Sequence, residues 1–120
     1  EELSKKRKNL ANKYDDLLLD CKEVFSFEFN YKDINPHIYP ILLGENISRD
    51  FVKKELRIQG IETGIHYFPN HLLDFFKTKK RIKLKNTERI YSKILTLPLH
   101  PDLSERQINF VCSSLLKIIK

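Results

Sequence analysis

The chain has 120 residues, 41% of them hydrophobic and 32% charged, with a formal net charge of +6. That is one domain's worth, able to bury roughly two thirds of its unfolded surface in a single core. No apolar run approaches the roughly 20 residues that cross a bilayer, so no membrane role is expected. The opening Glu1-Glu2-Leu3-Ser4-Lys5-Lys6-Arg7-Lys8 lacks the apolar core and cleavage site of a secretory leader and does not begin with methionine, so the chain reads as an excised piece.

Leu3, Leu10, Tyr14, Leu17 and Leu18 recur at helical spacing and predict an amphipathic helix over residues 2–20. Residues 24–31 alternate aromatic and polar side chains with period two, predicting a strand whose aromatics face a core and its cover, and 37–43 form a second extended run ending at Gly44. Ser48 caps a helix that runs to about Gln59, with Phe51, Val52 and Leu56 turned inward and Gly60 supplying the left-handed terminus. A short strand carrying His66 comes next, then a helical turn over 71–77, a short helix over 87–94 and a strand over 95–99 stopped by Pro98 and Pro101. The last helix has the clearest signature. Ser104 and Gln107 form a capping box, and Ile108, Val111, Cys112, Leu115 and Ile119 lay one apolar stripe along it. No internal repeat or low-complexity linker interrupts this order, so the expected fold is a single α+β domain, a small antiparallel or mixed sheet covered by helices.

Chemistry-bearing residues concentrate in Gly60-Ile61-Glu62-Thr63-Gly64-Ile65-His66-Tyr67-Phe68-Pro69-Asn70-His71. Glycine permits positive φ or close backbone approach, proline stiffens the exit, and imidazole and phenol supply directional hydrogen bonds or proton transfer near neutral pH. A helix stop, a strand and a turn account for the glycines and the proline, which leaves His66, Tyr67 and His71 as candidate site residues. His37 and His100 flank prolines at strand boundaries and read as structural, and the four histidines fit no zinc-ligand spacing. Cys21 and Cys112 stand far apart with no partner at metal-ligand spacing, which fits buried, reduced thiols of a cytoplasmic protein.

The positive charge gathers in two runs. One is Lys5-Lys6-Arg7-Lys8; the other, Lys77, Lys79, Lys80, Arg81, Lys83 and Lys85, lies in a stretch without acidic residues. The second run reads as a solvated loop or as a contact for phosphate groups. One functional class open at this point is therefore a free-standing basic α+β module that binds RNA or another polyanion. The absence of arginine-glycine repeats and of aromatics among the lysines counts against it.

The order of the pieces resembles the C-terminal small domain of the DegT/DnrJ/EryC1/StrS aminotransferases, fold-type I enzymes that depend on pyridoxal phosphate. The resemblance rests on an opening helix with Arg7, Leu10, Ala11 and Tyr14, the strand from Pro36 to Leu42, and Arg49-Asp50 at the next helix. It continues through Gly60 to Tyr67, Leu95-Thr96-Leu97-Pro98-Leu99-His100-Pro101, and Leu103-Ser104 with Gln107 and Val111, so it covers nearly the whole chain.

The resemblance implies transfer of an amino group, usually from glutamate, to a keto group on a nucleotide-linked deoxysugar, in making amino sugars for surface polysaccharide or a glycosylated metabolite. It implies that pyridoxal phosphate and its Schiff-base lysine belong to a large domain preceding this piece, that no residue here is catalytic or cofactor-binding, and that the piece alone is inactive. It further implies a homodimer when full length, and a substrate cleft to which His66, Tyr67 and His71 contribute. This sequence departs from the commoner family pattern, in which two prolines follow the His-Tyr pair and the next histidine comes one residue later; here the turn reads Phe68-Pro69-Asn70-His71.

Overall fold

The computed structural model describes residues 1–27, 29–76 and 82–120; Glu28, within the first expected strand, and most of the second basic run lie outside the described residues. The opening helix, α1, spans Glu2–Leu18 and buries Leu10, Ala11, Tyr14 and Leu18. Positions 10, 14 and 18 lie four apart and so share one face. Leu3 was expected on that stripe but is 54% exposed, because the buried part of the helix begins only at Leu10.

Three strands follow: β1 (Val24–Ser26), β2 (Tyr39–Leu43) and β3 (Ile94–Leu97). They form an antiparallel sheet in the order β1-β2-β3, with Val24 opposite Leu43 and Tyr39 opposite Leu97. The register sorts the side chains into two faces. Val24, Tyr39, Ile41, Leu43, Leu95 and Leu97 turn to the helices and are buried, while Phe25, Pro40, Leu42, Ile94 and Thr96 share the other face.

Strand β1 is shorter than the aromatic alternation predicted. Phe25 and Phe29 are 57% and 45% exposed, and of the aromatics in that run Tyr31 is the one in the buried core among the described residues. The rings of Phe27 and Phe29 instead stack on each other, 5.8 Å apart. Alternation thus reported side-chain spacing, whereas pairing required a partner strand, and β2 offers one only as far as Ile41 opposite Ser26. That limit also explains a proline inside the central strand. Pro40 faces Thr96, whose backbone N–H and C=O both go to Gly64, so Pro40 needs no N–H toward β3 and has no β1 residue beside it.

Helix α2 (Arg49–Ile58) starts at Ser48, whose hydroxyl accepts the Phe51 N–H at 3.3 Å. Val52 and Leu56 are buried, but Phe51, expected inward, is 54% exposed. Consecutive helical residues are offset by about 100°, so a stripe through 52 and 56 leaves 51 at its side. The helix ends as the glycine predicted: Gly60 has φ 79°. Its N–H reaches the Arg57 carbonyl and the Ile61 N–H reaches the Leu56 carbonyl, both at 2.9 Å. This double closure folds the chain back and puts Ile61 into the core beside Leu56.

Two 3-10 turns, Asn70–Leu72 and Asp74–Phe76, occupy the region expected to make a single helical turn. Helix α3 spans Lys85–Lys93, starting earlier than expected, and β3 begins directly after it at Ile94. Helix α4 (Glu105–Ile118) carries the anticipated capping box: the Ser104 hydroxyl accepts the Gln107 N–H at 3.3 Å and Gln107 Oε1 accepts the Ser104 N–H at 2.9 Å. It buries Ile108, Val111, Cys112 and Leu115 against α1 and α2. The architecture is the α+β sheet-and-helix layer expected, with all three strands antiparallel. No described helix is long and apolar enough to cross a membrane.

Candidate functional site

The chain from Ile61 to His71 runs from the cap of α2 along the free edge of β3. Gly64 and Thr96 form a bridge, with Gly64 N–H to Thr96 C=O at 2.9 Å and the reverse bond at 2.8 Å. The short strand expected to carry His66 is reduced to this bridge, and His66 lies beyond it. Upstream, Lys53 Nζ donates to the Thr63 carbonyl at 2.6 Å, and the buried Thr63 hydroxyl has no hydrogen-bond partner among the described residues.

The bridge determines where His66 goes. A Cβ built on Gly64 would stand 2.7 Å from His66 Cε1 and 3.2 Å from Nδ1, so glycine is what lets the imidazole fold back over the strand edge. There His66 Nδ1 and Thr96 Oγ1 share a hydrogen bond of 2.9 Å. The peptide bond between His66 and Tyr67 is cis. The two rings meet edge to face with centroids 4.8 Å apart, and Tyr67 projects from the fold at 71% exposure.

Beyond Tyr67 the loop is held by α3. The Phe68 ring packs edge to face on Tyr91 at 5.4 Å, and Tyr91 in turn lies under the Arg49 guanidinium, 5.1 Å from the ring centroid. Arg49 donates from Nη1 to the Tyr91 carbonyl and pairs from Nη2 with Asp50 at 2.9 Å. His71 does not join His66 and Tyr67. Its Nε2 lies 3.0 Å from Glu88 Oε1, the same oxygen that accepts the Leu84 N–H at 3.2 Å at the start of α3.

The structure therefore brings His66 and Tyr67 together and sets His71 on α3. Thr96, Arg49 and Tyr91 were not singled out as site residues from the sequence. Thr96 had a readable signal, as the one polar residue in the apolar run Ile94-Leu95-Thr96-Leu97. The contact of Arg49 with Tyr91 had none, since it spans 42 residues.

A second polar cluster lies away from this loop. The Tyr14 and Tyr39 rings stack at 4.5 Å; Tyr14 donates to the Pro98 carbonyl at 2.9 Å and Tyr39 to Asp15 Oδ1 at 2.5 Å. Burial raises the pKa of Asp15 above the ordinary carboxylate value, against the lowering effect of the phenols of Tyr39 and Tyr31. Burial likewise pushes all three tyrosines upward. Asp15 also lines a groove of about 840 Å³ between α1 and β1, to which none of residues 60–71 contributes. His37 and His100 are exposed. Cys112 is buried and its thiol is pushed up to about 12 by that burial, whereas Cys21, also expected to be buried, is half-buried.

The pyridoxal phosphate implied by the resemblance needs a free lysine amine inside an enclosed site and an acid beside it. The well-anchored lysines here do not fit. Lys53 is committed to the Thr63 carbonyl, and Lys93 donates to the Glu45 and Ile47 carbonyls at 2.6 and 3.0 Å. Among the described residues no group of three or more His, Cys, Asp or Glu could hold a metal ion.

The chain is 29% identical over 119 residues to UDP-4-amino-4,6-dideoxy-N-acetyl-beta-L-altrosamine transaminase of Campylobacter jejuni, covering 96% of this chain and 32% of that protein. It thus spans about a third of the length of that curated relative. Helicobacter pylori PseC, an aminotransferase involved in the biosynthesis of pseudoaminic acid, shares the fold with a TM-score of 0.85 at 23% identity, over 98% of this chain and 33% of that one. Spr1654 of Streptococcus pneumoniae in its PLP form gives 0.84 at 22% identity, over 98% and 31%. The model of the DegT/DnrJ/EryC1/StrS aminotransferase family matches residues 1–116, from the first turn of α1 to the last turn of α4. The capped helices, the antiparallel sheet and the His66 loop are therefore parts of one recognised unit, and the chain belongs to the DegT/DnrJ/EryC1/StrS aminotransferase family.

Proposed function

We propose that residues 1–120 are the C-terminal small domain of a pyridoxal-phosphate-dependent sugar aminotransferase, whose large cofactor-binding domain lies outside this chain. In the whole enzyme an amino group moves from glutamate, which leaves as 2-oxoglutarate, to the ketone of a nucleotide-linked deoxysugar, whose C=O becomes CH–NH2. Pyridoxal phosphate supplies the electron sink and carries the amino group between the two substrates. Family membership supports this reading, as do the naming of the Campylobacter relative as a transaminase of a UDP-linked amino sugar and the PLP and PMP forms of Spr1654. The small domain alone is inactive in this proposal, and the whole enzyme is a cytoplasmic homodimer.

The observation that carries the substrate assignment is the fixed imidazole beside a projecting phenol. With Nδ1 engaged by Thr96, His66 is held in one orientation and offers Nε2 to a sugar or phosphate oxygen. Tyr67 offers a hydroxyl and a flat apolar ring to the sugar face. His71, with its side chain 10% exposed and bonded to Glu88, supports the loop exit next to them. The polyanion reading is set aside on the strength of the family match, since the exposed Phe25 and Phe29 remove the argument that the aromatics face a core.

The test uses the full-length protein in its PLP form. Conversion to the PMP form is followed by cofactor absorbance at increasing glutamate, and separately at increasing UDP-4-amino-4,6-dideoxy-N-acetyl-beta-L-altrosamine, the first sugar to try. His66→Ala and Tyr67→Phe are each expected to raise half-saturation by the sugar nucleotide about tenfold, the equivalent of one lost hydrogen bond, and to leave half-saturation by glutamate unchanged. Unchanged sugar saturation in both variants overturns the assignment.

A further inference from the structure

We propose that Arg49 is a positioning residue for Tyr67, acting through Tyr91 and Phe68; this deepens the substrate reading above and rests on it. The guanidinium makes three kinds of contact at once. Its Nη1 donates to the Tyr91 carbonyl, its Nη2 pairs with Asp50 at 2.9 Å, and its Cζ lies over the Tyr91 ring, 5.1 Å from the centroid.

Each contact follows from where Arg49 sits. As the first residue of α2, it reaches across to the last turn of α3, whose closing carbonyls have no partner within that helix. A cation there also meets the negative end of the helix dipole. The side chain is only 10% exposed, so its charge is largely withdrawn from water and its orientation is set by these partners. The Tyr91 ring, steadied on one side by Arg49, meets the Phe68 ring at 75° and 5.4 Å.

Phe68 is covalently next to Tyr67. The loop is pinned on its other flank by the Gly64–Thr96 bridge and by the bond from His66 to Thr96. Tyr67, 71% exposed and meeting the His66 ring edge, takes its direction from these two anchors. One anchor joins a backbone bridge, which needs glycine at 64, to the side-chain bond between His66 and Thr96. The other is the chain Arg49, Tyr91, Phe68, and lysine cannot replace its first member, because a point charge cannot serve the carbonyl, the carboxylate and the ring face together.

The experiment compares Arg49→Ala, Arg49→Lys and Tyr91→Leu in the full-length protein, with two readouts. Hydrogen exchange by mass spectrometry should be about tenfold faster in the peptide spanning residues 64–73 and unchanged in α4, which a general loss of stability would not produce. In the absorbance assay, half-saturation by the altrosamine nucleotide should rise about tenfold with glutamate saturation unchanged, and lysine should not restore it. Combining Arg49→Ala with Tyr67→Ala should give no further rise, since both remove the same contact. Tyr91→Leu keeps an apolar side chain on α3 and tests the same chain of contacts should Arg49→Ala not fold. Exchange that is unchanged at 64–73, or additive effects in the double variant, overturns the inference. Selective exchange in a protein whose sugar saturation ignores Tyr67→Ala overturns the substrate role of the loop instead, and leaves the hold of Arg49 on it standing.

Discussion

Gly64 and His66 fit together only because residue 64 has no side chain: its Cβ would stand 2.7 Å from the imidazole Cε1. Gly60, four residues earlier, is required for a different reason, since its φ is 79° and nothing lies within 4 Å of a Cβ built on it. The two alanine substitutions should therefore differ in kind. Gly60→Ala is expected to cost about 1–2 kcal/mol through backbone strain and to leave sugar saturation unchanged. Gly64→Ala is expected to cost about 1–3 kcal/mol through crowding and also to displace His66, raising sugar half-saturation. Denaturation curves and the absorbance assay on the same two variants separate these outcomes.

Thr96→Val keeps the shape of a residue that is 5% exposed in the sheet and removes only the oxygen bonded to His66. The expected loss of stability is about 0.5–1.5 kcal/mol, the usual net worth of one such bond. Sugar saturation should weaken several-fold through misorientation of the ring, while glutamate saturation holds. A Thr96→Ser variant, which restores the hydroxyl, should recover the sugar affinity.

Asp15 gives a pH dependence of definite sign. Burial raises its folded pKa above the ordinary 3.8. The stability linked to the neutral acid is then fully present below that value and is lost as pH rises through the raised one. Asp15→Asn should accordingly be more stable than the native chain at neutral pH, and this advantage should shrink on acidification and vanish below the ordinary aspartate range. Denaturation midpoints of both proteins across an acid series measure the difference. An advantage that grows toward acid pH would show that the bond from Tyr39 outweighs burial.

The two thiols should react at very different rates. Cys112 is 2% exposed and held up to about 12, so it stays protonated and covered through the neutral and mildly alkaline range. Cys21, half-buried, should be alkylated by iodoacetamide in the native protein, and Cys112 only after denaturation. Peptide mass mapping after timed quenching distinguishes them. Labelling of Cys112 at the rate of Cys21 would mean that α4 opens readily.

Much of this domain was legible along the chain because the deciding interactions are local. The capping box at Ser104, the serine cap of α2 and the glycine closure at Gly60 each join residues within a few positions of one another, and all three stand as expected. The cluster at His66 and Tyr67 could be singled out for the same reason. Errors arose where a second element had to supply the answer. Phe51 and Leu3 lie near apolar stripes yet face solvent, and the aromatic alternation from Val24 to Tyr31 outran the strand that pairs with it.

The sequence by itself determined the presence of the long helices, the caps of α2 and α4, the family and the loop on which attention should fall, since periodicity, caps and ordered motifs are carried by neighbouring residues. Only the tertiary structure decided what that loop does with its side chains. Thr96 fixes His66 from 30 residues away, Glu88 draws His71 to α3, and Arg49 steadies the Tyr91 ring on which Phe68 rests. Hydrogen bonds and ring contacts act over a few ångströms of space whatever their separation along the chain, so no spacing in the sequence announces them.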